Sequence, residues 1–152
     1  MSVHFPRGVR IVNCSVTMEK CTSTDQAIRL GYGACLAVED CRLFGGNFGV
    51  HCAGKMEARR CMFEGNSMAG VVVDAGQATL VECMVRNSGR DGLYVYGGNV
   101  LYGGKVTVAA AEHSYEMDRP QTVSAGNGRH DWATQRGGEI KGLAEGIQVV
   151  AI

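Results

Sequence analysis

The stretches Gly49-Val-His-Cys-Ala-Gly54, Gly70-Val-Val-Val-Asp-Ala-Gly76 and Gly92-Leu-Tyr-Val-Tyr-Gly-Gly98 decide the fold of this chain. Their closing glycines are spaced by 22 and 22 residues, and a weaker copy, Ala27-Ile-Arg-Leu-Gly-Tyr-Gly33, lies 21 residues before the first. A period of this size is typical of a solenoid, in which each repeat unit buries its apolar face against its neighbours. Repetition therefore explains many residues that would otherwise resemble a functional site.

A second motif precedes each glycine-led segment. It reads apolar, any, apolar, two polar residues, cysteine, any, apolar, and its alternation predicts two short strands joined by a tight corner. The glycine-led segment then supplies a third strand. The predicted inward columns are Val9/Leu36/Met56/Ala78, Ile11/Val38/Ala58/Leu80, Cys14/Cys41/Cys61/Cys83, Val16/Leu43/Phe63/Val85 and Ile28/Val50/Val71/Leu93.

Three strands and three corners in about 22 residues predict one coil of a parallel β-helix, with like residues stacked about 4.8 Å apart. The competing solenoid is the leucine-rich repeat, whose period overlaps this one. That repeat needs a helix or 3₁₀ turn after its strand, whereas this chain has Gly-Val-x-Val there, which is rich in β-branched residues. The pattern therefore favours the β-helix.

The repeat over Leu36–Gly98, and less clearly over Val9–Gly33, resembles the right-handed parallel β-helix repeat family. That family includes pectate lyases and the β-helix substrate-binding modules of some F-box adaptor proteins. The resemblance implies an all-β, single-stranded, right-handed parallel β-helix of about five to six coils. It implies a fold and not an activity, because such folds host unrelated functions.

The repeat predicts a single domain over residues 1–152, with regular coils over 9–102. The polar stretch 18–26 should form an outward loop in the first unit. After Gly98 the pattern decays, so residues 103–152 are expected to form an irregular coil or cap. A short helix is one interpretation of 109–115, a long loop is expected over 118–138, and a final strand near 146–150.

Composition excludes several classes of function. Fifteen basic and fifteen acidic residues balance, and no basic stripe of the kind that nucleic-acid binding requires is present. No apolar run approaches the length of a membrane span, and the N-terminus does not resemble a signal peptide. The seven cysteines include no C-x-x-C pair, which argues against a structural metal. We expect reduced thiols, an intracellular protein, and neither metal nor cofactor.

Polar residues at the corners predict two ladders. Asp40, Arg60 and Glu82 are in register and alternate in charge, as a solvated ladder between neighbouring strands would. The second ladder consists of asparagines, which tolerate the backbone of tight corners. Its members are Asn47, Asn66 and Asn87.

The outward face of the third strand is the strongest candidate for a binding surface. Alternation places His51, Asp74, Tyr94 and Tyr96 outside, and tyrosines beside a carboxylate and an imidazole can stack on a sugar or anchor a protein partner. The second strand's outward Met62 and Met84 form a more apolar strip, which predicts an interface, such as one that joins two copies of the chain.

No catalytic residue is predicted. An inverting glycosidase needs two carboxyl groups about 6.5–9.5 Å apart, and no outward column of strands carries two acids. Histidines lie close to acids at His113 with Glu116 and Asp118, and at His130 with Asp131. We therefore expect a non-catalytic binding or scaffold module that recognises a protein partner and self-associates. The alternative is a carbohydrate-active enzyme or a polysaccharide-binding fragment.

Overall fold

The computed structural model describes the backbone of residues 2–3, 9–12, 15–18, 26–97, 104–109 and 122–152, and the side chains of residues 26–97, 104–109 and 122–152. Within these ranges the chain forms strands and turns, without a helix, and the strands assemble into three parallel sheets. The expected all-β class and the parallel pairing are therefore confirmed.

The three sheets draw on the chain in rotation. In spatial order, sheet A contains β1 (Ser2–Val3), β4 (Gln26–Leu30), β7 (Phe48–Cys52), β10 (Ala69–Asp74), β13 (Asp91–Tyr96), β16 (His130–Gln135) and β18 (Val150–Ala151). Sheet B contains β2 (Val9–Val12), β5 (Cys35–Glu39), β8 (Lys55–Arg59), β11 (Gln77–Val81), β14 (Lys105–Ala109) and β17 (Glu139–Lys141). Sheet C contains β3 (Ser15–Met18), β6 (Arg42–Gly45), β9 (Met62–Glu64), β12 (Met84–Arg86) and β15 (Val123–Ala125).

The register of the sheets stacks the predicted columns. Leu36 pairs with Met56 and Met56 with Ala78 in sheet B, Leu43 with Phe63 and Phe63 with Val85 in sheet C, and Val50 with Val71 and Val71 with Leu93 in sheet A. These side chains are buried and form one apolar core. Alternation thus places every second side chain in the core, because strand residues point alternately to opposite faces.

The corner between sheets B and C explains why the predicted column of cysteines recurs in each unit. Asp40, Arg60 and Glu82 each adopt a left-handed backbone, with φ of 53°, 50° and 53°. The buried cysteine that follows turns its thiol back toward the corner: Cys61 Sγ donates to Arg59 O at 3.2 Å. Cysteine suits this position because it is a small apolar residue that is also a weak hydrogen-bond donor.

The Asp40–Arg60 pair of the predicted charge ladder is present at this corner, while the predicted asparagine ladder is wrong. Arg60 Nε lies 2.6 Å from Asp40 Oδ1. By register with the strands before them, Asn87 stands in the column of Gly45 and Gly65, all with positive φ, whereas Asn66 falls one residue later. The strands before them, β9 and β12, pair with an offset of 22 residues, whereas Asn66 and Asn87 are 21 residues apart, so the two asparagines do not stack.

The sheets continue further along the chain than the sequence predicts. Within the region expected to be irregular, β14 pairs with β11 in register, so that Val106 stacks on Ala78 and Val108 on Leu80. Over the predicted loop 118–138, the described part contains β15 and β16. Trp132 fills the column below Leu93 and is buried. Val100, Tyr102, most of 109–115 and most of 18–26 lie outside the described residues, as do Cys14 and Cys21.

The final strand also differs from its prediction. We expected Gly146, Ile147 and Val149 to form it, but β18 is Val150–Ala151. Gly146 has a φ of 89°, which breaks the extended backbone, and Ile147 instead packs its side chain against the core together with Leu143. The stretch 142–149 therefore crosses the end of the core without pairing into sheet C.

Candidate functional site

The outer face of sheet A carries all four predicted binding residues. His51 pairs in register with Val72 and Val72 with Tyr94, while Asp74 pairs with Tyr96. His51, Asp74, Tyr94 and Tyr96 are half-buried, and His51 Nε2 lies 3.5 Å from Asp74 Oδ2. The structure thus brings these residues to one face in two adjacent rows, as alternation predicts.

A groove of about 320 Å³ opens on this face beside Tyr94. Its apolar lining residues are Phe48, Met68, Ala69, Val72, Tyr94 and Ile152, and its polar ones are Arg90, Asp91, Arg129 and Gln135. An apolar cavity with a few polar groups at its rim is the usual composition of a binding site, and this volume is at the small end of that class. We name this feature the sheet A groove.

The turns that precede β13 and β16 contribute two arginines to the groove. Four residues separate β12 from β13, and the same number separates β15 from β16, whereas two residues join β2 to β3, β5 to β6, β8 to β9 and β11 to β12 at the cysteine corner. Gly92 then allows close packing, because a Cβ atom there would lie 2.7 Å from Asp131 O. The longer turns stand out from the sheet and bring Arg90 and Arg129 to the groove.

A buried carboxylate forms the polar end of the groove. Asp91 is 4% exposed and accepts two hydrogen bonds from Arg129, from Nε at 3.0 Å and from Nη2 at 2.6 Å. His130 Nδ1 lies 3.0 Å from Asp91 Oδ1. Burial alone would raise the pKa of Asp91, but its bonds to Arg129 and His130 outweigh burial and hold that pKa below its ordinary value. The carboxylate is therefore ionised at neutral pH.

The two tyrosines are held by neighbours from the next repeat unit. The Tyr94 hydroxyl donates a hydrogen bond to Gln135 Oε1, and the Arg136 guanidinium lies 5.7 Å from the centre of the Tyr96 ring. Partial burial, followed by the negative charge of Asp91, raises the pKa of Tyr94. Tyr94 thus stays protonated at neutral pH and presents a fixed ring to the groove.

Tyr94 is the predicted residue that lines the groove, while His51, Asp74 and Tyr96 lie beside it on the same face. Sequence reasoning missed Arg90, Asp91, Arg129 and Gln135. One signal was available: Asp91 stands in register with Phe48 and Ala69, so a charged residue replaces apolar ones in its column. His130 was noted for its proximity to Asp131, but its partner in space is Asp91.

The predicted interface residues lie on the outer face of sheet C. Met62 pairs in register with Arg42 and with Met84, and Met84 with Val123, and both methionines are half-buried. Beside them, Glu64 is held between Arg42 and Arg86, each with a nitrogen 3.0 Å from a Glu64 oxygen. The strip is thus apolar with a salt-bridged border.

The described cysteines are free thiols, of which four are buried and Cys35 is exposed. Burial raises the pKa of Cys52 to about 12, and the neighbouring Cys83 thiol together with burial raises the pKa of Cys61. Within the described residues, no three His, Cys, Asp or Glu side chains come together as a metal-binding group would. That part of the chain also contains no helix with the length and apolarity of a membrane span.

No family model matches this chain, and no curated protein or solved structure is significantly similar to it. The argument about function therefore depends on the geometry of the chain itself.

Proposed function

We propose that this chain is a binding module, built as a right-handed parallel β-helix, that recognises a protein partner through the sheet A groove. Three parallel sheets that receive successive strands in rotation support the β-helix. Parallel connections within a sheet are nearly always right-handed, which supports the proposed hand. The buried free thiols are in keeping with a reducing, intracellular compartment.

The observation that carries the binding function is the fixed aromatic ring in a partly apolar groove. Tyr94 is oriented by its bond to Gln135, is paired in register with Val72 and lines the same groove as Phe48. Tyrosines in such positions contribute much of the affinity of protein interfaces, because a rigid ring buries a large area at a small entropic cost. An extended segment of a partner that lies across the outer face of sheet A can place one large side chain in this groove.

A carbohydrate-active function is the second candidate, and the contact between His130 and Asp91 favours it. An imidazole beside a carboxylate in a groove with a tyrosine is a plausible start for acid–base chemistry on a sugar. However, Asp91 is the one carboxylate among the groove-lining residues, and Arg129 and His130 already engage both of its oxygens. A glycosidase needs a second carboxyl group with a raised pKa, so binding is the better supported function.

A peptide selection tests the proposal. Random peptides displayed on phage are selected on the immobilised protein, a glycan array is probed in parallel, and selected ligands are measured by fluorescence polarisation. We expect peptides to be selected and Tyr94→Ala to weaken them at least about tenfold, as loss of an aromatic anchor does. Thr79→Ala, on the outer face of sheet B, is the matched control and should leave their affinity unchanged.

Two results would count against the module. Peptides whose affinity is indifferent to Tyr94→Ala would place the binding surface elsewhere. Glycans bound through Tyr94, or turnover in a panel of lyase and hydrolase substrates that disappears in Tyr94→Ala, would favour the carbohydrate-active candidate.

A further inference from the structure

The charges on the outer face of sheet A differ from those of the whole chain. The chain has 15 basic and 15 acidic residues. Among the described side chains on this face and at its groove, four arginines, Arg29, Arg90, Arg129 and Arg136, stand against two side-chain carboxylates, Asp74 and Asp91. These side chains therefore place two net positive charges on one face of a molecule whose charges balance overall. A surface of this kind attracts segments of opposite charge.

The two arginines of the groove have different roles. Arg129 is committed, because it forms two hydrogen bonds to the buried Asp91. Arg90 is exposed, and no acidic side chain of the described residues lies within ion-pair distance of its guanidinium. Its backbone is fixed, since Arg90 N donates to Met68 O at 3.1 Å and Arg90 O accepts from Arg129 N at 2.6 Å. A free guanidinium on a fixed turn is suited to bind a carboxylate from outside the chain.

The rest of the groove requires an apolar group. Phe48, Val72, Tyr94 and Ile152 line it, and 320 Å³ is room for one large side chain with its neighbours, not for a folded element. A partner segment that fills the groove and also pairs with Arg90 therefore carries an acidic residue a short distance from its apolar residue. Neither charge alone nor apolar contact alone would use the whole site.

We infer that the partner segment is acidic and carries a large apolar or aromatic residue, which enters the sheet A groove while a flanking carboxylate binds Arg90. This inference rests on the proposed binding function and specifies the chemistry of the partner.

Three series of short synthetic peptides test it. All share a central Trp, Tyr or Leu, and the flanks consist of Asp and Glu, of Ser and Gly, or of Lys. Fluorescence polarisation measures their affinity for the intact chain and its variants. We expect the acidic series to bind most tightly and to weaken as salt rises from about 50 to about 500 mM, because salt screens exposed charges.

Arg90→Gln is the decisive variant, and Lys55→Gln is its matched control. Both remove one positive charge, but Lys55 lies on sheet B, in register with Cys35 and Gln77. We expect Arg90→Gln to weaken the acidic series about threefold to fivefold, mainly through a slower association rate, and to leave the Ser/Gly series unchanged. Lys55→Gln should change neither series.

The outcomes separate this inference from the proposed function. Equal affinity for the acidic and Ser/Gly series, equal loss in both with Arg90→Gln, or the same loss with Lys55→Gln would overturn the acidic partner while Tyr94-dependent binding stands. Binding of the Lys series above the other two would also overturn it. If every peptide that binds is insensitive to Tyr94→Ala, the proposed binding through the sheet A groove itself fails.

Discussion

The outer faces of sheets A and C each hold a carboxylate that contacts the side chains of two basic residues, yet they form different surfaces. On sheet C, Glu64 lies between Arg42 and Arg86, at the border of the apolar strip that the half-buried methionines form. On sheet A, Asp91 lies below Arg129 and His130 at the end of a groove. Two-residue corners lead into β6, β9 and β12 of sheet C, whereas four-residue turns lead into β10, β13 and β16 of sheet A. The turns before β13 and β16 supply Arg90 and Arg129, so the groove on sheet A takes polar groups from its turns as well as from its strands.

The largest expected effect concerns the glycines behind these faces. Gly92→Ala would place a Cβ atom 2.7 Å from Asp131 O and against Ser124, so the backbone beneath the groove must shift. We expect a loss of about 3 kcal/mol in the free energy of unfolding, as for an overpacked interior. The matched variant is Gly65→Ala beside sheet C.

At Gly65 the new Cβ would lie 3.0 Å from a ring atom of Phe44, which is 41% exposed and able to move. The remaining cost comes from its φ of 69°, and we expect about 1 kcal/mol. Urea unfolding measures both variants. Equal losses would show that the two positions are under the same packing constraint, so that the interior beneath the groove would be no more crowded than the border of sheet C.

A smaller effect is expected at the two carboxylates. Asp91→Asn leaves Arg129 and His130 without their anionic partner, and we expect about 2 kcal/mol less stability at neutral pH. Because the folded pKa of Asp91 is lowered, its contribution is fully present above about pH 4, its unfolded pKa, and is lost as pH falls through the folded value.

Chemical unfolding at a series of pH values tests this. The difference between Asp91→Asn and the unmodified chain should shrink as the solution is acidified. Glu64→Gln is the comparison on sheet C. The bond from Arg86, followed by that from Arg42, outweighs partial burial and lowers the pKa of Glu64. The difference in stability between Glu64→Gln and the unmodified chain should therefore also shrink as the solution is acidified. We expect a smaller loss, since Arg42 and Arg86 remain hydrated. A pH-independent loss at Asp91 would refute the ion-pair account.

The strands of the regular units could be predicted because their determinants are local. Alternation along each strand, with a repeat that stacks like on like, is sufficient to place Val50, Val71 and Leu93 in one column. The later strands could not be predicted, because Trp132 follows the aliphatic residues of that column and Lys105, at the start of β14, stands in register with the polar Gln77. Burial there depends on stacking against the preceding unit, which single-residue patterns do not express.

The face of the sheet that carries the site could be predicted, but the charged residues that form the site could not. Alternation along one strand is enough to direct Tyr94 outward. The ion pair between Asp91 and Arg129 joins residues 38 apart in the sequence, far from the period of 22 that relates neighbouring units elsewhere. The connection from β14 to β15 is longer than the earlier ones, so residues that stack after it are not 22 positions apart in the sequence. Counting repeat positions therefore cannot predict that these two residues meet.

The smallest effect on folding, and the most direct test of the sheet C face, is expected from Met62→Lys combined with Met84→Lys. Both side chains are half-buried beside Val123, which is 46% exposed, so an ammonium can remain hydrated and the monomer should lose no more than about 1 kcal/mol. We expect the unmodified chain to self-associate through this apolar strip at micromolar concentration. Light scattering should then report a mass above 16.2 kDa for the unmodified chain and a monomer for the double variant. Tyr94→Ala on sheet A is the matched control and should leave association unchanged. A monomeric unmodified chain would refute this interface, and an oligomer that persists in the double variant would move it to the ends of the sheets.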